Sequence, residues 1–404
     1  MMDMDLLLSP QIPGPAMKSS LPERTPLFEH KANGPVYRIP SLIYVLEQKT
    51  FLAFAERRKG YDDISADSLV MRKGIYQTGY VKWDAIKTLP EATMEKHRTM
   101  NPCSVYDDRS KVIFLFFNCI PVGVRKNYMK KWGNSSKMCY ITSSDFGNTW
   151  SSIKDITNVT GGIRKMAVSF FSPGHGIHTT EGTLIIPAYV YVAKFWFIRW
   201  WSANARSLYL FSEDHGHSWR ISEQIAKYEG GECELAEIQE DSKNMIYCNL
   251  RTRKDKRVEA LSLNVGGEFK FVEKSKKLKE CSDGCHGSIL SFPGTVEAEQ
   301  NPNDWLLFSH PVKKDRRDLG IFLNKSPLKS EAWSIPWVIY EGFCAYSDLV
   351  DCQEENTFAI LFEGGEKTPY EHIYFCRFTV EDVLENIAKK SGFLASIKGI
   401  FNKK

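Results

Sequence analysis

The chain has no long hydrophobic run. Its longest, VIFLFFNCIPVGV at 112–124, is far too short to cross a bilayer as a helix. The first residues, MMDMDLLLSPQIPGP, are acidic, and their apolar stretch stops after three leucines, so the basic and hydrophobic regions of an export signal are both missing. No glycine follows the initiator Met and no C-a-a-X box ends the sequence, which leaves out the common lipid anchors. Charge of one sign is also scarce: 53 Lys and Arg against 49 Asp and Glu leave a net +4, too mild to argue for nucleic acid. Metal-ligand spacing is poor, since C-S-D-G-C-H (281–286) has no second Cys/His pair at finger distance. The ten cysteines then read as reduced thiols in the cytosol, with the sequons at Asn134, Asn158 and Asn324 left empty.

What is present is strand-like. SLIYV (41–45), FLAFAE (51–56), KVIFLFF (111–117), TLIIPAYVYV (183–192), MIYCNL (245–250), WLLFSH (305–310) and TFAILFE (357–363) are short, aromatic or β-branched, and mostly bounded by turn-formers. Only the stretch from TVEDVLENI onward has a helical period. Many short strands leave a sandwich, a barrel or a propeller. A repeat chooses among them. SSDFGNTW (143–150) and SEDHGHSW (212–219) share S-x-D-x-G-x-[T/S]-W, and SLNVGGEF (262–269) keeps Ser, Asn, Gly and an aromatic at the same offsets. Each copy follows a strand. The Gly permits a tight turn, the Ser and Asp can bond turn amides, and the Trp is expected to open the next strand and pack on the sheet. At roughly 60 residues per blade this implies an all-β, six-bladed β-propeller with Asp-box repeats. Its expected limits are 26–378, with a flexible N-terminal tail (1–25) and a basic, helical C-terminal tail (379–404).

The two boxes, together with Y-R-I-P (37–40), FAERR (54–58), HRTMNPC (97–103), PAYVY (187–191), CELAE (233–237), RRDLG (316–320) and CAYSDL (344–349), resemble the sialidases of glycoside hydrolase family 33. HRTMNPC, PGHGI and CAYSDL look most like the vertebrate plasma-membrane (ganglioside) type. The resemblance runs from about Pro26 to Phe378 and implies a six-bladed propeller that removes terminal sialic acids. It implies three arginines on the substrate carboxylate: Arg38, Arg251 and Arg316, the last preferred over Arg317 because it stands two residues before the D-L-G aspartate. Guanidinium groups suit the task because they stay charged and bind carboxylates bidentately. The nucleophile falls on Tyr346 and its base on Glu237. A neutral phenol avoids the repulsion that an attacking carboxylate would meet beside the sugar's own carboxylate, but needs a base within reach. The general acid falls on Asp63, with Asp62 beside it as the alternative; two adjacent acids could raise each other's pKa. Glu56 is expected to orient Arg38. Ile39, Met100, Asn101, Tyr189 and Tyr191 match positions lining the sugar pocket. Lys126 stands where close relatives carry an acid, so substrate preference is expected to differ.

Two stretches bear on location. AKFWFIRWW (193–201) is either a membrane-facing loop or a hairpin with its aromatics in the core, and AKKSGFLASIKGIFNKK (388–404) is either a basic amphipathic surface binder or a frayed terminus. Peripheral membrane or cytoplasmic residence follows. The expected activity is exo-α-sialidase action on gangliosides, glycoproteins and oligosaccharides, retaining and without cofactor. A sialic-acid-binding propeller without catalysis is the competing class, and a transglycosidase sharing the site a third.

Overall fold

A computed structural model of the chain describes residues 21–125, 135–163, 166–193, 203–225, 227–240, 243–294, 303–354 and 356–401. Side chains beyond 391 lie outside this description, as do Lys126 and nearly all of the aromatic stretch 193–201. The described residues form sheets, antiparallel except where Gly174–His175 pairs in parallel with His97–Asp107, and one α-helix, Val380–Phe401, where the helical period begins. No described helix is long and apolar enough to cross a membrane.

Five hydrogen-bonded sheets follow one another along the chain. The first pairs Val36–Val45, Thr50–Arg58, Ala66–Gln77 and Tyr80–Trp83. The second is built on His97–Asp107, Val112–Pro121 and Lys137–Ser143. The third is built on Met166–Phe171, Leu184–Ala193 and Ala203–Ser212, and the fourth on Cys233–Glu240, Lys243–Leu250, Lys256–Ser262 and Phe269–Lys279. The fifth has seven strands and runs continuously through the long strand Trp337–Asp351, ending on Arg24–Glu29, which pairs with His372–Thr379. The first of the described strands thus completes the last sheet.

Apolar side chains fill the spaces between successive units. Leu52 and Phe54 meet Leu115 and Phe117, and Phe116 and Phe171 meet Ile186 and Leu208. Ile185 and Tyr209 meet Leu235 and Cys248, and Ile238 and Tyr247 meet Ile289 and Phe308. Leu307 and Ile321 meet Phe358 and Ile360 across the bend of the long strand, and Leu361 and Phe375 meet Leu42 and Phe51. Alternation along each strand makes this two-sided burial possible, and near-continuous apolar runs are its sequence sign.

The repeats fold as the turns expected. Ser143 Oγ accepts from Gly147 N at 2.8 Å, Asp145 accepts from Thr149 N at 2.9 Å, and Phe146 and Gly147 take the left-handed conformation. The second copy reproduces this through Ser212, Asp214, Gly216 and Ser218. In the third, Ser262 Oγ donates to Asn264 O, and Gly266 has φ 75°. The Trp residues pack as expected, but on the preceding sheet: Trp150 against Phe54, Trp219 edge-on to Phe116 with centroids 5.0 Å apart. The strand pairing after Trp150 begins only at Lys154. At the C-terminus, Thr379 and Asp382 form a reciprocal cap, and Val380 and Val383 bury the first helical turn against the last unit.

Candidate active site

A cavity of about 450 Å³ is lined by Arg38, Ile39, Arg58, Asp62, Asp63, Arg98, Met100, Asn101, Tyr189, Glu232, Tyr346 and Tyr370, among others. These residues come from strand ends and loops of several sheets. Beside it, a side pocket of about 90 Å³ is lined by Tyr189, Tyr191, Glu232, Arg251 and Arg253. The structure therefore brings together most of the residues singled out in the sequence.

Arg38 is buried, and its guanidinium makes a two-pronged pair with Glu363: Nε to Oε1 at 3.0 Å and Nη2 to Oε2 at 3.1 Å. The same carboxylate accepts from Ile39 N at 2.8 Å and Tyr346 N at 3.2 Å. Burial pulls the Arg38 pKa down, but Glu363 more than reverses this and the group stays charged. Ile39 has φ 60°, costly for a β-branched residue, and the Glu363 bond holds it there. Glu56 was expected as the partner of Arg38, and that is corrected. Its Oε2 accepts from Arg58 Nε at 2.7 Å and its Oε1 from Asn101 N at 2.7 Å.

Tyr346 sits with 7% of its surface exposed. Its hydroxyl lies 2.9 Å from both Glu232 oxygens, to which it donates, and accepts from Arg251 Nη1 at 2.7 Å. Burial pushes the phenol pKa well above its usual value, Arg251 and Arg316 pull it down, and Glu232 pushes it up. Arg251 Nη1 also pairs with Glu232 Oε2 at 2.7 Å. Arg316 donates Nη2 to Gly284 O at 2.8 Å and counts Tyr346, Arg251 and Tyr370 among its charged or titratable neighbours. Arg317 instead lies over the Phe343 ring at 3.7 Å and pairs with Asp315.

Glu237 is not at the phenol, which corrects the expected base. Its oxygens accept from Thr180 N at 2.7 Å and Thr180 Oγ1 at 3.1 Å, and it lines a different cavity, of about 760 Å³, with His178 and Asp304. Five residues along an extended strand is about 16 Å, and an odd step reverses the face. Glu232, which begins the same acidic run G-E-C-E-L-A-E, holds the position instead. Of the three acids in that run, Glu232 alone stands before the strand begins at Cys233.

Asp63 Oδ1 accepts from Arg58 Nη1 at 2.9 Å, its carbonyl accepts from Arg98 Nε at 3.1 Å, and its side chain is 62% exposed. The Arg58 guanidinium thus stands directly on the Asp63 carboxyl. Asp62 and Asp63 both face the cavity. Met100 is buried, Asn101 has φ 57° and donates Nδ2 to Phe171 O at 3.1 Å, and Tyr189 stacks on Phe170 and meets Tyr191 edge-on. Arg58, Arg98, Glu232, Tyr370 and Glu363 were missed as individual site residues. Tyr370 carries Arg38 over its ring at 4.1 Å.

Among the described residues, two clusters have metal-ligand types in reach of one another: Asp107, Asp108 and His178, and His175, Glu234 and Asp348. Cys281 and Cys285 of C-S-D-G-C-H pack in an apolar cluster with Ile39, Ala345 and Tyr346, and His286 pairs with Glu234.

The model of the BNR repeat-like domain matches residues 49–360. Sialidase-3 of Bos taurus is 38% identical over 402 residues, covering 90% of this chain and 94% of its own length. Sialidase-2 of Mus musculus is 36% identical over 366 residues, covering 87% and 94%. Among solved structures, the Hadza microbial sialidase Hz136 superposes with a TM-score of 0.70 at 20% identity, over 86% of this chain and 66% of that one. Trypanosoma rangeli sialidase gives 0.64 at 14% identity, over 91% and 58%. At such identities the structural likeness speaks for the fold.

Proposed function

Because this chain belongs to the sialidase family, a family of glycoside hydrolases, we propose that it is an exo-α-sialidase acting on gangliosides and other sialylated glycans through a tyrosine nucleophile. The observation that carries the reading is the Tyr346 hydroxyl held between Glu232 and Arg251 in an arginine-lined cavity. Arg38, Arg251 and Arg316 receive the substrate carboxylate; Glu363 occupies Nε and Nη2 of Arg38, which leaves Nη1 to face the sugar. Tyr346 Oη attacks the anomeric carbon as its proton passes to Glu232. The glycosidic C–O bond breaks, and the leaving oxygen takes a proton from Asp63. Water then attacks the anomeric carbon and gives a proton to Asp63, while the tyrosine oxygen leaves and regains its proton from Glu232. Two displacements return the starting configuration. Tyr189, Tyr191, Met100 and Asn101 shape the pocket for the sugar's side arms.

Six units closing into a propeller is the architecture that best accounts for the packing. Apolar cores lie between the first and second, second and third, third and fourth, and fourth and fifth units, across the bend of the seven-stranded sheet, and between that sheet and the first. The catalytic unit is taken as 26–378. The ganglioside preference and peripheral membrane residence rest on the sequence resemblance. Free sialic acid released from ganglioside micelles and from sialyllactose, with Tyr346→Phe as control, tests the reading. Release that needs Tyr346 supports the enzyme, and sugar binding without release from folded protein would replace it with a sialic-acid-binding propeller.

A further inference from the structure

Glu234 lies on the strand Cys233–Glu240 and Glu232 immediately precedes that strand, its carbonyl accepting from Arg251 N at 2.8 Å in continuation of the ladder, so the two side chains leave on the same side. Glu232 meets the Tyr346 hydroxyl at 2.9 Å. Glu234 is fully buried and meets His286 Nε2 at 3.0 Å through its Oε1. The His286 ring in turn lies against the Tyr346 phenol, with centroids 5.3 Å and planes 31° apart. The contacts close on themselves: strand, Glu232, phenol, imidazole, Glu234 and back to the strand.

We propose that His286, anchored by Glu234, is a positioning residue that fixes the Tyr346 ring so that its oxygen stays on Glu232 and Arg251. This rests on the sialidase reading and adds a residue to it. The need for such a support is visible in the backbone. The strand register shifts between Cys344 and Ser347, so ladder pairing does not hold Tyr346, and its N–H goes to Glu363 at 3.2 Å. The Arg38 and Arg251 guanidiniums also lie by the ring, 5.5 and 5.9 Å from its centroid. Each is paired with another group, Arg38 with Glu363 and Arg251 with Glu232. His286 is 1% exposed and does not face solvent. Its anchor is itself fixed, because Glu234 Oε2 accepts from Ile289 N at 2.9 Å. Burial pushes the Glu234 carboxyl up, but His175 and His286 more than offset this and hold it below the usual carboxylate range. An ionised carboxylate is the stronger acceptor for the imidazole N–H.

The test uses the full-length protein with a fluorogenic sialoside, and compares His286→Leu, His286→Gln and Glu234→Gln with wild type. Because a misplacement of about 1 Å can cost about 100-fold, His286→Leu is expected to lower kcat about 10- to 100-fold while KM stays within about threefold. His286→Gln keeps a flat amide that can donate to Glu234, and is expected to recover most of that loss. Glu234→Gln is expected to lower kcat about three- to tenfold, and decides the matter if His286→Leu does not fold. Folded His286→Leu or Glu234→Gln with wild-type kcat would overturn the proposal, as would a rise in KM alone. Those results leave the sialidase reading standing. Wild type that releases nothing would remove that reading and this one together.

Discussion

Replacing Glu232 by Gln isolates the proton acceptor of the nucleophile. Tyr346 donates to this carboxylate at 2.9 Å. At neutral pH an ordinary phenol is ionised to about one part in a thousand. Burial pushes this one further from ionisation, against the pull of Arg251. Attack therefore depends on handing the proton over as the bond forms. General-base assistance contributes about 100- to 10,000-fold, so Glu232→Gln should lower kcat by about that factor. KM should not rise much, since Gln frees the Arg251 guanidinium for the substrate carboxylate.

Glu237→Gln supplies the contrast. Its carboxylate accepts from Thr180 N and Thr180 Oγ1, and it lines the other cavity. The amide oxygen can still accept from Thr180 N, so kcat should stay within about twofold and stability fall by about 1 kcal/mol. Initial rates with a fluorogenic sialoside, each variant matched by its melting temperature, make the comparison. A 100-fold loss in Glu237→Gln, with Glu232→Gln within tenfold of wild type, would refute the assignment.

Glu363→Gln should raise KM about 10-fold or more and lower the melting temperature, because breaking a buried pair leaves Arg38 uncompensated at about 3–5 kcal/mol; calorimetry and substrate titration measure both. Asp145→Ala removes the acceptor of Thr149 N and should cost about 1–2 kcal/mol in denaturant unfolding while kcat is unchanged, since the box lies in a turn and does not line the active-site cavity. His175 has its pKa raised to about 9: burial lowers it, and Glu234 and Asp348 raise it more. The folded state then binds the proton more tightly than the unfolded state. That stabilisation is complete below about pH 6.5 and is lost as pH rises through about 9, so wild type should lose more stability across that window than His175→Asn. Equal pH slopes for the two proteins would contradict this.

The repeat and the strands were legible because alternation and turn chemistry are local. Ser143, Asp145 and Gly147 satisfy one another within five residues, so the turn can be read without knowing the fold. The arginines and Tyr346 were legible through motif resemblance. The carboxylate partners were not. Glu56 was assigned to Arg38, which it faces in the ladder, yet the guanidinium of Arg38 goes to Glu363, 325 residues away. The base was placed at Glu237 because a short motif carries no register. In a strand, one position decides the face and a few decide the end. The left-handed residues Ile39 and Asn101 left no sign in the sequence either, since neither is glycine.

Those two residues show how the pocket is built. In the first sheet the ladder shifts between Arg38 and Ser41, and in the second between Met100 and Cys103. Each shift turns a backbone N–H away from its strand partner inside the protein, where an unsatisfied donor is costly. In both cases a buried glutamate from the sheet packed alongside accepts it: Glu363, on Thr357–Gly365, from Ile39, and Glu56, on Thr50–Arg58, from Asn101. A buried carboxylate then needs a cation, and each has an arginine: Arg38 on Glu363 and Arg58 on Glu56. Both arginines line the cavity. The same sequence of causes, from bulge to glutamate to arginine, thus operates at neighbouring interfaces and points positive charge at one place. The arrangement also explains why the partner of Arg38 lies so far along the chain: the unit that precedes the first in space is the last in sequence, completed by Arg24–Glu29. Strain of about 1–3 kcal/mol at each left-handed residue is sustained by these buried pairs. Removing either glutamate should therefore cost the fold and the pocket together, whereas removing a turn aspartate should cost the fold alone.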